Sequence, residues 1–600
     1  MRNTDYSGVR ITDGFWLERQ KTLREATADA VYDRFTDTHR FSALECTWRE
    51  GDPHMPHIFW DSDVAKWIEG VAYLLKTEDN PKWRAIIERV TDLFIKNQDA
   101  DGYFNSHFLV AEKDMRFKER GNHELYCLGH WIEGAVAYFE ATGERRLLDA
   151  VCRFVDCVER IFKTERSAPF ITPGHPELEL ALVRLWKTTG EARYFDLAKY
   201  FIDEHGANAE EPPPAQTYPQ IFYNQDDMPV RARKTIEGHS VRALYLLSGM
   251  IDVARETNDE ELADACKRMF ENCTERKMYV TGGVGSLDDG EAFSDDYYLP
   301  GRTSYAETCA AISLAMAALR MQTIDENAKY ADIAERVMYN GSISGISLDG
   351  KKFFYANAHE IDLDFNHVNK YNPRHDRFPK TERVEVFTCS CCPPNILRFI
   401  ASISGYVLSE SDDTVFVNQY MSSESDELDV ITRYPADGNV LIKRKKKSKA
   451  LAVRIPSWCR SFEISAEYEL KNGYAFIKSC EDEIKITFDM PIRLVSANRR
   501  CHENAGRAAV MRGPVVYCAE GIDNFKDMQA AVIDKSAEFY LYDSEFFVPS
   551  IKTEVKLPKC DALYSDLEDV EYDSVSLKLI PYFAYANRGS SDMQIWFLHS

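Results

Sequence analysis

The sequence predicts a multidomain α+β protein, in which an (α/α)6 toroid over residues 1–405 precedes a β-sandwich region, jelly-roll-like, over residues 406–600. Two observations predict the helical part: a helix-turn-helix unit recurs between residues 62 and 340, and one helix of each unit is distinctly apolar. A third predicts the β part, because near residue 405 the sequence changes to period-two alternation rich in β-branched and aromatic residues. The 600 residues also exceed the roughly 250–300 that one hydrophobic core serves.

The helical part contains five repeats of an apolar helix, a short polar turn and a second amphipathic helix, beginning at Trp67, Trp131, Glu179, Ala243 and Ser313. Two helical segments remain, from Phe15 to about Phe35 and from Pro394 to about Leu408. If these two pair, the helix pairs number six. Six antiparallel pairs that close on themselves form a toroid lined by the more apolar helices, and an open α-solenoid is the alternative.

The β part alternates apolar and polar residues in segments separated by short turns, such as residues 435–438 (PADG). These segments begin at Val415 (VFVNQYM), Leu451 (LAVRIPSW), Gly473 (GYAFIKS), Glu483 (EIKITFDM) and Ala508 (AAVMRGPVVYC). They predict a β-sandwich, which is compatible with two subdomains. The basic run from Lys443 to Lys449 (KRKKKSK) lies between two such segments, so we interpret it as a solvated strand or hairpin rather than a nucleic-acid patch.

Charge and cysteine content exclude several classes of protein. The net charge of −24 argues against nucleic acid, whose binding depends on Lys and Arg, and makes an acidic polymer a poor partner. The first 16 residues contain no apolar signal core, and no stretch approaches 18 apolar residues, so we expect a cytoplasmic protein without a membrane partner. The 15 cysteines are odd in number and scattered, which favours reduced thiols over a disulfide framework. A homodimer is compatible with the sequence.

Polar and aromatic residues gather just before each predicted inner helix. Each could alone be a helix cap or a satisfied core group, but clusters at the same phase of five repeats predict one polar mouth of the toroid. The clusters are His57, Trp60, Asp61 and Asp63; His123, Glu124 and His130; His175; His239; and Glu291 through Glu307.

The cysteines near residue 390 are the most distinctive local signal. The run Cys389-Ser-Cys391-Cys392 precedes a helix that starts with two prolines, and Glu307 and Cys309 (YAETC) share the first turn of another helix. Thiolates and a carboxylate are ligands that zinc accepts in a tetrahedral site. Glu307, Cys309, Cys391 and Cys392 could therefore hold one zinc ion, and the alternative is that the cysteines are buried small hydrophobes.

Two long motifs resemble the β-L-arabinofuranosidase family, glycoside hydrolase family 127. They are residues 281–310 (TGGVGSLDDGEAFSDDYYLPGRTSYAETCA) and residues 387–398 (FTCSCCPPNILR). Shorter matches are ITDGFWLERQ, GHPELELALVRL, GHSVRALYL, RGPVVYCAEG and IPYFAYANRG, so the resemblance covers essentially the whole chain. It implies an (α/α)6 barrel followed by β-sandwich domains, and a retaining glycoside hydrolase with a zinc-bound cysteine nucleophile.

The resemblance also implies roles for individual residues. It makes Glu307, Cys309, Cys391 and Cys392 the zinc ligands, Cys391 the nucleophile and Glu291 the acid/base. It makes His130, His175, His239 and Tyr355 the sugar-binding residues, and it assigns no role to Cys389. A retaining glycosidase needs a nucleophile and an acid/base, and zinc can hold a thiol as the thiolate near neutral pH, so the residue chemistry agrees.

Three alternatives stay open at this point. A relative could cleave another terminal sugar, such as a deoxysugar from pectin, with the same Glu291 and cysteines. A non-catalytic carbohydrate-binding protein could hold a purely structural zinc, although it would not need Glu291 in a glycine-flanked loop. A metal-independent hydrolase or lyase on a similar toroid could use Asp61 and Asp63, but it would not explain the cysteines.

Overall fold

The computed structural model describes residues 1–207, 220–366, 380–479, 481–559 and 562–600. Helices dominate up to about residue 406 and strands dominate after it. Within these described ranges, no helix is long and apolar enough to cross a membrane.

The helices include both long pairs and short connecting turns. They are α1 (Gly14–Thr22), α2 (Ala28–Asp37), α3 (Arg40–Ala43), α4 (Trp60–Thr77), α5 (Pro81–Asn97), α6 (Glu124–Thr142), α7 (Arg146–Val158), α8 (Leu178–Thr189), α9 (Ala192–Glu204), α10 (Gln220–Tyr223), α11 (Ser240–Thr257), α12 (Glu260–Arg276), α13 (Thr308–Met321), α14 (Ala328–Arg336), α15 (Leu363–Asn366) and α16 (Cys392–Ala401). Short π-helical segments continue α1, α7 and α14.

Six of these helices contact one another in a closed order. Helices α4, α6, α8, α11, α13 and α16 follow one another, and α16 returns to α4. Second helices pack on four of them, in the pairs α6–α7, α8–α9, α11–α12 and α13–α14. The two leftover segments of the sequence also meet, because α1 and α2 contact α16.

Local sequence explains where the helices begin, end and approach one another. The Asn80 side chain accepts the Trp83 N–H at 3.2 Å and Pro81 follows it, so α5 starts with a capped first turn. Two glycines allow inner helices to pack closely. A Cβ atom on Gly134 would lie 2.8 Å from the Ala65 carbonyl oxygen, and one on Gly70 would lie 2.7 Å from the Leu397 side chain.

The first two β-sheets have six strands each. The first has the order β1 (Arg2–Asn3), β4 (Leu408–Glu410), β5 (Thr414–Val417), β9 (Ala450–Arg454), β12 (Tyr474–Ile477) and β11 (Tyr468–Lys471). The second has the order β10 (Phe462–Ile464), β13 (Glu483–Phe488), β8 (Asn439–Arg444), β7 (Leu428–Thr432), β6 (Ser423–Ser425) and β2 (Val9–Ile11). Strands from the N-terminus thus complete sheets of the β-rich half.

The third sheet has ten strands, ordered β14 (Ile492–Ser496), β15 (Arg507–Arg512), β22 (Trp596–His599), β17 (Val532–Ile533), β19 (Ser550–Lys559), β20 (Glu571–Pro581), β16 (Val515–Glu520), β21 (Met593–Gln594) and β3 (Glu360–Ile361), with β18 (Phe539–Tyr542) beside β19. It closes into a barrel, because β15 pairs with β22 near its first residues and with β16 near its last, and β17, β19 and β20 connect β22 to β16. The sequence predicted only a sandwich here; closure depends on which edges pair, and alternation does not encode that.

The basic run is a solvated strand and turn, as predicted. Its first residues belong to β8 and the rest follow that strand. Its lysines pair with carboxylates of neighbouring strands and turns, in the pairs Lys443–Glu483, Lys445–Asp429 and Lys447–Asp482. This part of the surface is therefore neutralised locally.

Candidate active site

The cysteine cluster forms where the first turns of two neighbouring inner helices converge. Glu307 directly precedes α13 and Cys309 is the second residue of that helix. Cys391 directly precedes α16, which begins at Cys392, and two prolines follow in its first turn. Because α13 and α16 are neighbours in the closed order of helices, the three thiols and the Glu307 carboxyl meet.

The four side chains have the spacing of a tetrahedral metal site. The Cys309 Sγ atom lies 3.6 Å from Cys391 Sγ and 3.3 Å from Cys392 Sγ, and the latter two atoms are 3.8 Å apart. Glu307 Oε1 lies 3.7 Å from Cys391 Sγ and 3.8 Å from Cys392 Sγ. Tetrahedral zinc, with bonds of about 2.3 Å to sulfur and about 2.0 Å to oxygen, separates its ligands by about 3.5–3.8 Å.

The electrostatics of the cluster call for a cation. Burial, followed by the neighbouring thiols and Glu291, raises the pKa of Glu307 well above its ordinary value. Burial also raises the pKa of Cys392, whereas hydrogen bonding between Cys309 and the thiols of Cys391 and Cys392 overcomes burial and lowers the pKa of Cys309 to about 6. Glu307 Oε2 is buried without a hydrogen-bond partner in the part of the chain that the structure describes. A divalent cation bound by the Glu307 carboxyl and the thiols would neutralise the clustered anions.

Glu291 lies beside this cluster but outside the set of four ligands. It follows Gly290 in a tight turn and has a positive φ of 51°. Its Oε2 atom is 3.3 Å from Nε2 of His239, and its carbonyl accepts the Ser240 hydroxyl at 3.0 Å. A ring nitrogen of His239 and one carboxylate oxygen from each of Glu291 and Glu307 lie within 4.8 Å of one another. The carboxyl of Glu291 can therefore exchange a proton next to the thiols without itself being one of the four predicted ligands.

Three histidines form a wall around Tyr126, which lies in the first turn of α6. The ring centroid of Tyr126 is 4.1 Å from that of His175 and 4.5 Å from that of His130, and His175 lies 5.6 Å from His239. Burial lowers the pKa of all three imidazoles below the ordinary value. The wall is thus uncharged at neutral pH, which suits hydrogen bonding to neutral hydroxyl groups.

Tyr355 connects the thiols on the other side of the cluster. Its hydroxyl oxygen accepts a hydrogen bond from Cys391 Sγ at 3.3 Å and lies 3.8 Å from Cys389 Sγ. Cys391 and Glu291 are half-buried, whereas Glu307, Cys309 and Cys392 are buried. The two residues predicted to react are therefore more accessible to solvent than the three residues predicted to serve only as ligands.

Several other polar residues near the mouth have structural partners instead. Asp61 accepts the Ser106 N–H at 3.0 Å, and Asp63 pairs with buried Arg40 at 2.7 Å. Arg40 also donates to the carbonyls of Phe387 and Thr388, just before the cysteines. These bonds engage one carboxylate oxygen of each aspartate and hold the cysteine segment, so both aspartates have structural partners within the fold.

Of the other predicted mouth residues, some have structural partners and one lies near the three histidines. Glu124 accepts the Tyr103 hydroxyl at 2.6 Å and the Phe117 N–H, so its carboxylate is used within the fold. The His123 ring lies 5.8 Å from that of His175, at the edge of the histidine wall. The Trp60 ring packs against the Arg40 guanidinium, whose carbon lies 5.5 Å from the ring centroid.

Sequence reasoning missed three residues that the structure brings into this site. Tyr126 lies between the histidines, Glu177 Oε1 is 3.1 Å from His130 Nδ1, and the ammonium of Lys66 donates to the Tyr126 hydroxyl oxygen at 2.8 Å. Glu177 is 0% exposed and Lys66 is 1% exposed. A lysine inside an inner helix was the available signal, since ammonium groups are rarely buried without a function or a partner.

Comparison with known proteins matches most of the chain to one family. Residues 8–405 match the family model of the glycoside hydrolase family 127 β-L-arabinofuranosidase catalytic domain, and residues 492–598 match that of the family 127 C-terminal domain. A non-reducing end β-L-arabinofuranosidase from Bifidobacterium longum subsp. longum is 35% identical, with 98% of this chain and 99% of the relative covered.

Solved structures show the same relationship. The crystal structure of a family 127 β-L-arabinofuranosidase from Geobacillus stearothermophilus T6 is 36% identical, with a TM-score of 0.92, and the match covers 99% of this chain and 100% of that one. The structure of another family 127 β-arabinofuranosidase is 32% identical, with a TM-score of 0.90, over 100% of this chain and 98% of that one.

Proposed function

The chain belongs to glycoside hydrolase family 127, and we propose that it removes terminal β-L-arabinofuranosyl residues. In this proposal the anomeric configuration of the sugar is retained and Cys391 is the nucleophile. Three thiols and the Glu307 carboxyl with the spacing of a tetrahedral zinc site, next to the half-buried Glu291, carry this proposal. The identity of the sugar is inferred from the activity of the relatives named above. The closed order of inner helices supports an (α/α)6 toroid as the catalytic domain, over residues 1–405, followed by the β-rich region over residues 406–600.

Glu307, Cys309, Cys391 and Cys392 would hold the zinc ion. When bound, zinc supplies the positive charge that keeps Cys391 as a thiolate near neutral pH. Three of these residues are buried and serve as ligands alone in this proposal. Cys391 is half-buried, so its sulfur can reach a sugar from the solvent side.

In the first step the Cys391 thiolate attacks the anomeric carbon of the sugar. A C–S bond forms, the bond from that carbon to the leaving oxygen breaks, and Glu291 gives its proton to this oxygen. His239 lies 3.3 Å from Glu291 Oε2 and orients the carboxyl. The product of this step is a thioglycoside on Cys391 and a free alcohol.

In the second step a water molecule attacks the same carbon from the side that the leaving group vacated. The Glu291 carboxylate takes a proton from this water, the C–S bond breaks, and Cys391 returns as thiolate. Two inversions at one carbon give net retention of configuration. His130, His175 and His239 around Tyr126, and Tyr355 beside Cys391, would bind the sugar hydroxyls, which are the roles that the family resemblance implies.

The choice of sugar is tested with a panel of aryl glycosides. We expect the aryl β-L-arabinofuranoside to be cleaved with the highest kcat/KM, because the relatives that match the whole chain act on β-arabinofuranosides. NMR of the first-formed anomer should show the retained β configuration. A higher kcat/KM for a terminal deoxysugar would change the substrate while leaving the Cys391 and Glu291 chemistry in place. An inverted first product would contradict the two-step mechanism.

The metal is tested by elemental analysis of purified protein. We expect about one zinc per chain, because four ligands converge on one tetrahedral position. Removal of zinc with a chelator should abolish activity, and addition of zinc should restore it. Full activity with less than about a tenth of an equivalent of zinc would contradict the metal site.

A further inference from the structure

Lys66 is a buried cation whose place in the molecule calls for an explanation. It lies in the inner helix α4, is 1% exposed, and donates to the Tyr126 hydroxyl oxygen at 2.8 Å. Its ammonium lies 5.1 Å from the centroid of the same ring. No carboxylate forms an ion pair with it among the residues that the structure describes. An ammonium buried without an anionic partner is costly, so the fold keeps this one for a reason.

Two of the three anions with the largest electrostatic effect on Lys66 belong to the metal site. Burial lowers the pKa of Lys66, but the electrostatic effects of Cys391, Asp63 and Cys309 outweigh it and raise the pKa. Lys66 is therefore charged at neutral pH. Three thiolates, one carboxylate and one Zn²⁺ would sum to a charge of −2 in the loaded cluster, and Lys66 would offset part of it.

The bond from Lys66 determines which way the Tyr126 hydroxyl can donate. The phenol oxygen accepts the ammonium proton, so its own hydrogen must be directed elsewhere. In the described part of the chain no acceptor lies within hydrogen-bond distance of this hydrogen. Burial also raises the pKa of Tyr126 well above its ordinary value, so the hydrogen is retained. An O–H polarised by a cation is a strong donor.

Tyr126 is placed to offer this hydrogen to a bound sugar. It is 7% exposed, compared with 8% for His175 and 6% for His239, and its ring lies 4.1 Å from that of His175, which lies 5.6 Å from that of His239. Its ring lies between His175 and His130, which are proposed sugar-binding residues. A neutral hydroxyl oxygen of a sugar is the acceptor that suits a neutral phenol O–H among neutral imidazoles.

We propose that Tyr126 binds the substrate by donating its O–H to one hydroxyl oxygen of the sugar, and that Lys66 is the positioning residue that orients and polarises this O–H. The inference rests on the proposed function for the nature of the ligand, a terminal sugar. It identifies Tyr126 as a specificity determinant, because a sugar that lacks the matching hydroxyl would leave the buried donor unsatisfied.

The test is a comparison of Tyr126→Phe with wild type on an aryl glycoside and on its monodeoxy analogues. We expect kcat/KM for the parent sugar to fall about 10–100-fold, because one polarised hydrogen bond to the substrate is lost. For one deoxy analogue the two enzymes should differ by less than about twofold, since that analogue lacks the acceptor. Zinc content should stay at the wild-type value.

Tyr138→Phe is the matched control, because it removes another buried hydroxyl from the same helix. Tyr138 Oη donates to Glu88 on α5 at 2.7 Å, away from the histidine wall. This variant should retain the wild-type preference for the parent sugar over each deoxy analogue. The same retention in Tyr126→Phe would overturn the proposal.

Lys66→Met separates positioning from binding, since methionine keeps the aliphatic length and removes the charge. We expect it to reduce the discrimination against the same deoxy analogue, and in the Tyr126→Phe background to have no further effect on that discrimination. If Lys66→Met and Tyr126→Phe lost discrimination against analogues that lack different hydroxyls, Lys66 would not act through the Tyr126 O–H. Tyr126→Phe decides the substrate contact even where Lys66→Met does not fold.

Two further results would overturn the proposal. A loss shared equally by the parent and every deoxy analogue would mean that Tyr126 acts through the packing of the site. A loss of zinc in Tyr126→Phe, with discrimination unchanged, would mean that the O–H is donated to a cluster thiolate. Each kcat/KM is expressed as a ratio to wild type, and the parent sugar is the best wild-type substrate from the panel. If that sugar is not β-L-arabinofuranose, the proposed function changes, but the role of Tyr126 is still tested.

Discussion

Cys391→Ser is expected to lower kcat about 10⁴-fold or more while the protein stays folded, because it replaces the proposed nucleophile. A serine hydroxyl is less nucleophilic than a thiol and is ionised less readily beside zinc. Cys391 is also a proposed zinc ligand, so zinc affinity should fall as well, and kcat is therefore measured with added zinc on protein that is still folded. Kinetics on the best aryl glycoside measure kcat, and a melting curve checks the fold.

Cys392→Ser is the matched control for this change. Cys392 is the adjacent residue with the same side chain, but it is buried and proposed only as a ligand. Its replacement should weaken zinc binding and stability first, with activity partly restored by added zinc. If added zinc also restores Cys391→Ser to nearly full activity, Cys391 is a ligand and not the nucleophile.

Covalent labelling gives an independent measure of the same role. A cyclophellitol-type or haloacetamide-type analogue of the sugar should modify Cys391, and peptide mapping of the labelled protein identifies the residue. Glu291 and Glu307 lie close enough to compete as nucleophiles. A label on either carboxylate would contradict the cysteine mechanism while leaving the family assignment unchanged.

Glu291→Gln is expected to lower the rate about 10²–10⁴-fold, with zinc content and fold retained. The amide keeps the shape of the side chain and can still contact His239, but it cannot deliver a proton to the leaving oxygen. Activated leaving groups need less protonation, so the loss should be smallest for glycosides of the most acidic phenols. A plot of rate against leaving-group pKa measures this dependence in both enzymes.

Asp295→Asn provides a control in the same loop. Asp295 is exposed and four residues away from Glu291, so the variant removes the same charge without removing the proposed acid. It should show the wild-type dependence on the leaving group. Equal losses for good and poor leaving groups in Glu291→Gln would count against the acid role, and an azide-dependent recovery of its second step would support the base role.

The sequence by itself determined the features that are local along the chain. The helix-turn-helix repeat and the change to β alternation predicted the two halves, because amphipathic periodicity records which face of each element is buried. The cysteine motif and the Glu307–Cys309 turn predicted the four ligands, which the structure brings together at 3.3–3.8 Å. The spacing of ligands within one helical turn is a local property, so it can be recognised in the sequence alone.

Only the tertiary structure decided the features that join distant segments. Arg40 holds the backbone before Cys389 through a bond between residues 347 positions apart, and the strand pairing that closes the last sheet joins Arg507 to Leu598. Lys66 and Tyr126 belong to different repeats, and neither residue by itself indicates that the ammonium would fix the direction of the phenol O–H. The physical reason is that a buried polar group acquires its role from partners that only packing supplies.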